Sequence, residues 1–258
     1  MLATSMRTSA ALLSLLTTLA LTPITHAAEP LATIPFVGCP ADGQLGPEPA
    51  PHGQPRHLAI PQGASERLAW YEFDGDAGQI GILAPRRWNC FATIGSDGLV
   101  LYVSPEHLAA AKVLEHKHWR GFNGPAIQLS AMEGGTSGRF DVAQVAARVF
   151  PHFHWFVKKV IAEDIEPASD FHFGPFPADK LTYRSNHLVE FTTPGNSVGL
   201  GTQSWLLKGP GDISGFAWIG GEDTNLLQLN MRLPPALARL GPIIIQQAEG
   251  ELAATNPH

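Results

Sequence analysis

Charge is scarce in this chain. Asp, Glu, Lys and Arg make up 16% of its 258 residues, and the 23 acidic side chains outnumber the 17 basic ones. Nucleic acids and anionic membranes select clustered Lys and Arg, so the formal net charge of −6 argues against either as main partner. The standard catalytic signatures are missing as well. There is no S-x-x-K, no H-E-x-x-H, no C-x-x-C and no phosphate loop ending in Gly-Lys-Ser/Thr. Gly199-Leu200-Gly201 lacks the third glycine of a dinucleotide fingerprint and a strand before it. These absences remove several standard hydrolase and nucleotide readings, and no cofactor is expected. Internal repeats, heptads and linkers are also lacking, which favours one domain.

Long apolar runs are confined to the start. Residues 1–27 read as an export signal, with Arg7 as the positive end, an apolar run from Ala10 to Leu21 interrupted by Ser14, Thr17 and Thr18, and cleavage expected after Ala27. A span needs about 20 predominantly apolar residues, which this run does not reach and nothing downstream approaches. A periplasmic or extracellular location follows, with no membrane span after cleavage. Only two cysteines are present, and in an exported chain they are most simply one disulfide, Cys39 to Cys90. The alternative is a reactive thiol.

What remains, residues 28–258, reads as a single α+β domain. An extended arm over about residues 28–65, rich in Pro, Gly and Gln, shows neither helical nor strand period. Strands are expected at Leu68–Phe73, Gln79–Ala84, Cys90–Ile94, Leu99–Val103, Ala126–Met132, Leu181–Thr192, Ile213–Ile219 and Leu226–Leu233. In the last, Leu227, Leu229, Met231 and Leu233 face one way and Gln228, Asn230 and Arg232 the other, as a half-buried sheet requires. Ser104-Pro105-Glu106 opens a helix expected to run to about Lys117.

The strongest periodic signal is Ser137 to Asp164. Val142, Val145, Ala146, Val149, Phe153, Phe156, Val157, Val160 and Ile161 recur at helical steps and form one apolar stripe. Pro151 interrupts it, so either a kink or two helices meeting near Phe150 are expected; because the stripe keeps its phase, the kinked helix is preferred. The expected fold is therefore a mainly antiparallel sheet with one long, kinked helix packed across it. The segment Ile243–Ile245, after Gly241-Pro242, is ambiguous.

Candidate sites are few. The strand Leu181–Phe191 places Tyr183, Ser185 and His187 in an otherwise apolar row, a pattern that can line a pocket or simply bond a sheet edge. Arg86 and Arg87, beside Trp88 and Cys90, could present paired guanidinium donors to an anion, and so could Arg139 near the long helix's start. Two His-x-His pairs, His116/His118 and His152/His154, could chelate a metal only from extended backbone, since positions two apart on a helix diverge by about 200°. No metal site is assigned. Asp74-Gly75-Asp76 begins like a calcium loop, but Gly78 and a missing terminal Glu make it a turn.

The blocks PFVGCPADGQLGP, GILAPRRWNCFATIGSDGLVLYVSP, GPAIQLS, SGRFDVAQVAARVFP and FGPFPADKLTYRS resemble a group of exported bacterial proteins of unknown function. Arg87 departs from the glycine expected before the Trp. The resemblance implies export and a single domain, and transfers no catalytic role. Three functions stay open: a non-catalytic envelope protein binding a small ligand or a protein partner; a periplasmic hydrolase using His187 with neighbouring polar residues; and a metal-binding protein using the histidine pairs.

Overall fold

Strand-forming sequence dominates the chain, and helices fill the gaps between meanders. The computed structural model describes residues 31–44, 46–76, 78–115 and 119–255. The export signal and the His116/His118 pair lie outside them. The arm contributes short strands β1 (Ala32–Ile34), β2 (Phe36–Gly38), β3 (Ala41–Gly43) and β4 (Arg56–Leu58), then one turn of helix, α1 (Gln62–Ser65). A ribbon of β5 (Leu68–Gly75) and β6 (Gly78–Pro85) leads into a meander of β7 (Asn89–Gly95), β8 (Gly98–Ser104) and β9 (Ala126–Met132), with the short α2 (Ala110–Leu114) before β9. Helices α3 (Arg139–Val149) and α4 (His154–Ile161) flank a 3-10 turn at Pro151–Phe153. A second meander follows, β10 (Lys180–Tyr183), β11 (Leu188–Thr193), β12 (Ile213–Gly220) and β13 (Asn225–Arg232), and then α5 (Gly241–Thr255).

The main sheet has eight strands in the order β10-β11-β12-β13-β9-β8-β7-β3. It is mixed, because β3 joins β7 in parallel while its other pairings are antiparallel. The ribbon, with β2 added in parallel, forms a separate three-stranded sheet. Strand residues alternate between two cores. Leu99, Leu101, Ile127, Leu129, Phe216 and Leu229 meet the ribbon's Tyr71, Phe73, Ile82 and Leu83 and the Ile244, Ala248 and Leu252 of α5. Val100, Tyr102, Val189, Phe191, Ala217 and Leu226 meet Val142, Val145, Val149, Phe153, Phe156 and Val160 of the helical side. Both faces of the sheet's middle are covered.

The α+β expectation of one long helix across an antiparallel sheet is overturned: the described chain is mostly β, with thirteen strands and short helices. The stripe from Val142 to Ile161 does pack as one face, but its helix is cut. Pro151 bars the residue before it from helical backbone, and Phe150 sits at φ −121°, ψ 77°. One 3-10 turn then restores the phase. The longest described helix is instead α5, where Pro242 occupies the first turn and needs no donor. Leu181–Thr192 is not one strand but the β10–β11 hairpin, turning at residues 184–187. Ser104 Oγ accepts from Glu106 N–H (3.0 Å) in a turn, so the expected helix shrinks to α2. The β7–β8 turn requires Gly98, whose φ is 144° and where a Cβ would lie 2.1 Å from Ala131 O.

The arm is stitched down rather than loose. β1 pairs β4, β2 pairs β5 and β3 pairs β7. Between β2 and β3 the wholly buried Cys39 is bonded to Cys90 of β7, with Cα atoms 5.3 Å apart. Arg56 adds a clamp: its guanidinium stacks 3.9 Å over Trp70 and reaches both carboxylate oxygens of Glu251 on α5. No helix among the described residues is long and apolar enough to cross a membrane.

Candidate functional site, a polar row under the helices

The polar face read as solvent-exposed in Leu226–Leu233 is not exposed. Gln228, Asn230 and Arg232 are 4%, 0% and 3% accessible, because the strand lies mid-sheet and α3 crosses that face. The outward alternation was real, but it points into the helix-side core. On the neighbouring strand β9, Gln128 and Ser130 are equally buried. Register sets Gln228 opposite Ser130 and Asn230 opposite Gln128, forming a square of polar side chains in the sheet's centre. Burying uncharged polar groups costs on the order of 1–3 kcal/mol each unless they are bonded, so each member of the square needs a partner.

The square is only partly satisfied. Gln128 Nε2 donates to Ser130 Oγ (2.9 Å), Gln228 Nε2 to Asn230 Oδ1 (3.2 Å), and Trp205 N–H to Gln128 Oε1 (2.9 Å). Asn230 Nδ2 has no partner among the described residues. Above the square opens a cavity of about 430 Å³, walled by Thr93, Asp97 and Tyr102 of the first meander, Gln128, Ser130 and Gln228 of the floor, Asp141 and Gln144 of α3, Val113 of α2, and Gln203 to Trp205. Gln203 donates Nε2 to Gln144 Oε1 (3.1 Å), while its buried Oε1 has no partner among the described residues. Tyr102 bonds to the Thr93 side chain, and burial pushes its phenol pKa up. Its ring joins Trp119 and Phe122, and Trp119 lies 5.1 Å from Trp205, giving the cavity an aromatic flank.

Asp141 stands at the mouth. Its side chain is open to solvent on one side and crowded by protein on the other. That crowding, with Asp97 and Glu166 nearby, raises its pKa to about 6. The arrangement offers amides, hydroxyls, aromatic faces and carboxylates, and among the described residues no nucleophile paired with a base.

A larger groove, about 1250 Å³, lies on the opposite face between α5 and strands β10 to β13. It is an open trough over ordinary outward residues such as Thr182, Thr192 and Ser214, and its Arg184 is paired with Glu190. Glu249 in its wall has a raised pKa, from burial first and then from Glu190. Size favours this groove; the concentration of buried, half-satisfied polar groups favours the smaller cavity.

The residues singled out from sequence are dispersed. Arg86 Nε and Nη2 donate to Leu68 O and Ser65 O (both 2.8 Å), fastening α1 to the ribbon. Arg87 is exposed in the β6–β7 turn with φ 68°, so the tight turn exists with a non-glycine residue in it. Arg139 holds Glu163 (2.7 Å) and Thr136 O (2.6 Å), joining the start of α3 to the end of α4. Tyr183 is exposed at the edge strand, and Ser185 Oγ accepts from His187 N–H (3.0 Å) in the hairpin turn. His187 Nδ1 donates to Ile219 O (2.8 Å) and its ring packs on Phe153, 5.2 Å away. Leu181, Tyr183, Val189 and Phe191 share a face across the hairpin, but the turn removes Ser185 and His187 from it. His152 neighbours His187 and His154 neighbours Phe173, so this pair does not converge. Among the described residues no three metal-ligating side chains cluster around one ion.

Comparison of the chain with protein-family models, with curated proteins and with solved structures gave no match.

Proposed function

We propose that this is an exported, non-catalytic binding protein of the bacterial envelope, periplasmic or extracellular, that holds a small polar molecule in the cavity beneath α3. The observation that carries the reading is the cavity's buried polar floor of Gln128, Ser130 and Gln228, beside which the buried Gln203 Oε1 has no partner among the described residues. The export signal read in residues 1–27, the buried Cys39–Cys90 bridge and the resemblance to exported bacterial proteins support the location. The hydrolase alternative through His187 has less support, since that imidazole is engaged with a backbone carbonyl and lines neither cavity described above.

The test is a double variant, Gln228→Leu with Asn230→Leu. Replacing both partners of a buried hydrogen bond by apolar side chains of similar size is close to neutral or stabilising. A ligand-binding square therefore predicts a variant that folds with equal or higher stability, by up to about 1–2 kcal/mol, and loses binding. Native mass spectrometry of protein purified without added ligand, followed by thermal-shift titration with polar metabolites, supplies the readout. Wild type and variant responding alike to every ligand would overturn the reading.

A further inference from the structure

Resting on that binding reading, we infer that the ligand carries a positively charged nitrogen, as an aliphatic amine does. Among the described residues, the charged side chains lining the cavity are Asp97 and Asp141, with no Lys or Arg. Glu166 adds a third carboxylate within electrostatic reach of Asp141. These groups do not converge on one metal ion, so the complementary charge is spread over a larger, organic cation. The hydrogen-bonding inventory points the same way. Gln128, Gln228 and Gln203 each donate Nε2 within the wall, whereas the buried Gln203 Oε1 is left as an open acceptor. A buried open acceptor in the wall matches a ligand that donates hydrogen bonds. The rings of Tyr102 and Trp205 line the same cavity, and aromatic faces favour desolvated cations. A volume of about 430 Å³ suits a molecule of metabolite size.

Asp141 is the residue that titrates. Facing it are Asp97 from the β7–β8 turn and Glu166 from the segment after α4; the ion-paired Arg139 and Glu163 lie near the start of α3, and neither α2 nor residues 203–205 place a charged side chain in the wall. Protonating Asp141 removes attraction for a cation and leaves a neutral ligand unaffected.

The experiment compares putrescine and spermidine with 1,4-butanediol, the uncharged counterpart of putrescine, by isothermal titration calorimetry of the full protein at pH 7.5 and pH 5.0. Expected are at least tenfold tighter binding of the amines than of the diol at pH 7.5, about a three- to tenfold loss for the amines at pH 5.0, and a similar loss in Asp141→Asn at pH 7.5. Glu249→Gln, in the opposite groove, is the control expected to bind as wild type. Equal binding of diol and diamine, or amine binding unchanged by Asp141→Asn, would overturn the charge assignment and leave the cavity standing. Failure of both amines to bind would also overturn it. The cavity itself falls only if the Gln228→Leu/Asn230→Leu variant also matches wild type across polar metabolites.

Discussion

Asp141 occupies the first turn of α3, where the helix dipole favours a carboxylate, yet its pKa is raised. Crowding by protein and two neighbouring carboxylates outweigh the dipole. The linkage has a definite sign. A carboxyl with a folded-state pKa near 6 against an ordinary 3.8 holds its proton more tightly when folded, so stability falls as pH rises from about 4 to about 6 and is level above. With part of the side chain in solvent, the loss is roughly 1 kcal/mol after screening. Urea unfolding at pH 4.5 and pH 7.5 is expected to show it, and Asp141→Asn to flatten it; Glu249, shifted in the same direction by burial, accounts for residual slope. At this scale the sequence showed the right residues in the wrong setting. Gln228 and Asn230 were visible as the polar half of an alternating strand, but alternation says only that two faces differ. It does not say which is wet. Their neighbours Gln128 and Ser130, in the shorter pattern AIQLSAM, carried no such signal, and Gln203 lies in a segment without period.

Turns and breaks decide the elements. Most strand positions were legible because alternation and Gly/Pro punctuation are local, and Ala126–Met132 was placed to the residue. The helical stripe was legible too, but its continuity was not, since Phe150 and Phe153 are each buried in the core on either side of Pro151 and hold the break open. Proline is thus the occasion of the break and packing its keeper. Pro151→Ala is expected to leave the far-UV circular dichroism of two separate helices unchanged and to cost about 0.4–1 kcal/mol through a more flexible unfolded chain. A gain in helicity would show that proline alone divides α3 from α4. Arg87 gives the complementary case. Its left-handed φ of 68° places a Cβ where glycine is at ease, so Arg87→Gly is expected to raise stability by about 0.5 kcal/mol, the relief of strain exceeding the added freedom of the unfolded chain. Chemical denaturation distinguishes this from a loss of similar size, which would mean that the arginine side chain contributes contacts of its own.

For the whole molecule, the question is what joins its layers. The ribbon sheet and the main sheet share a core but no strand pairing; the arm bridges them, giving β2 to the ribbon and β3 to the main sheet. Cys39 lies in the connection between those two strands, and its bond to Cys90 anchors that connection on β7. The sequence made this bridge legible by counting alone, whereas the mixed sheet was not legible, because parallel pairing of a three-residue strand depends on partners 51 residues away. Closing a loop of 51 residues stabilises by roughly 4 kcal/mol in the chain-entropy account, and the short arm strands have few contacts with which to replace it. Removing the bridge in Cys39→Ala/Cys90→Ala is therefore expected to cost about 2–4 kcal/mol in urea unfolding. Native-state hydrogen exchange should place the earliest loss of protection at β2 and β3, ahead of β8, β9 and β13 in the centre. If protection fell uniformly instead, the bridge would act only on the unfolded chain, and the arm strands would hold their layers together without it.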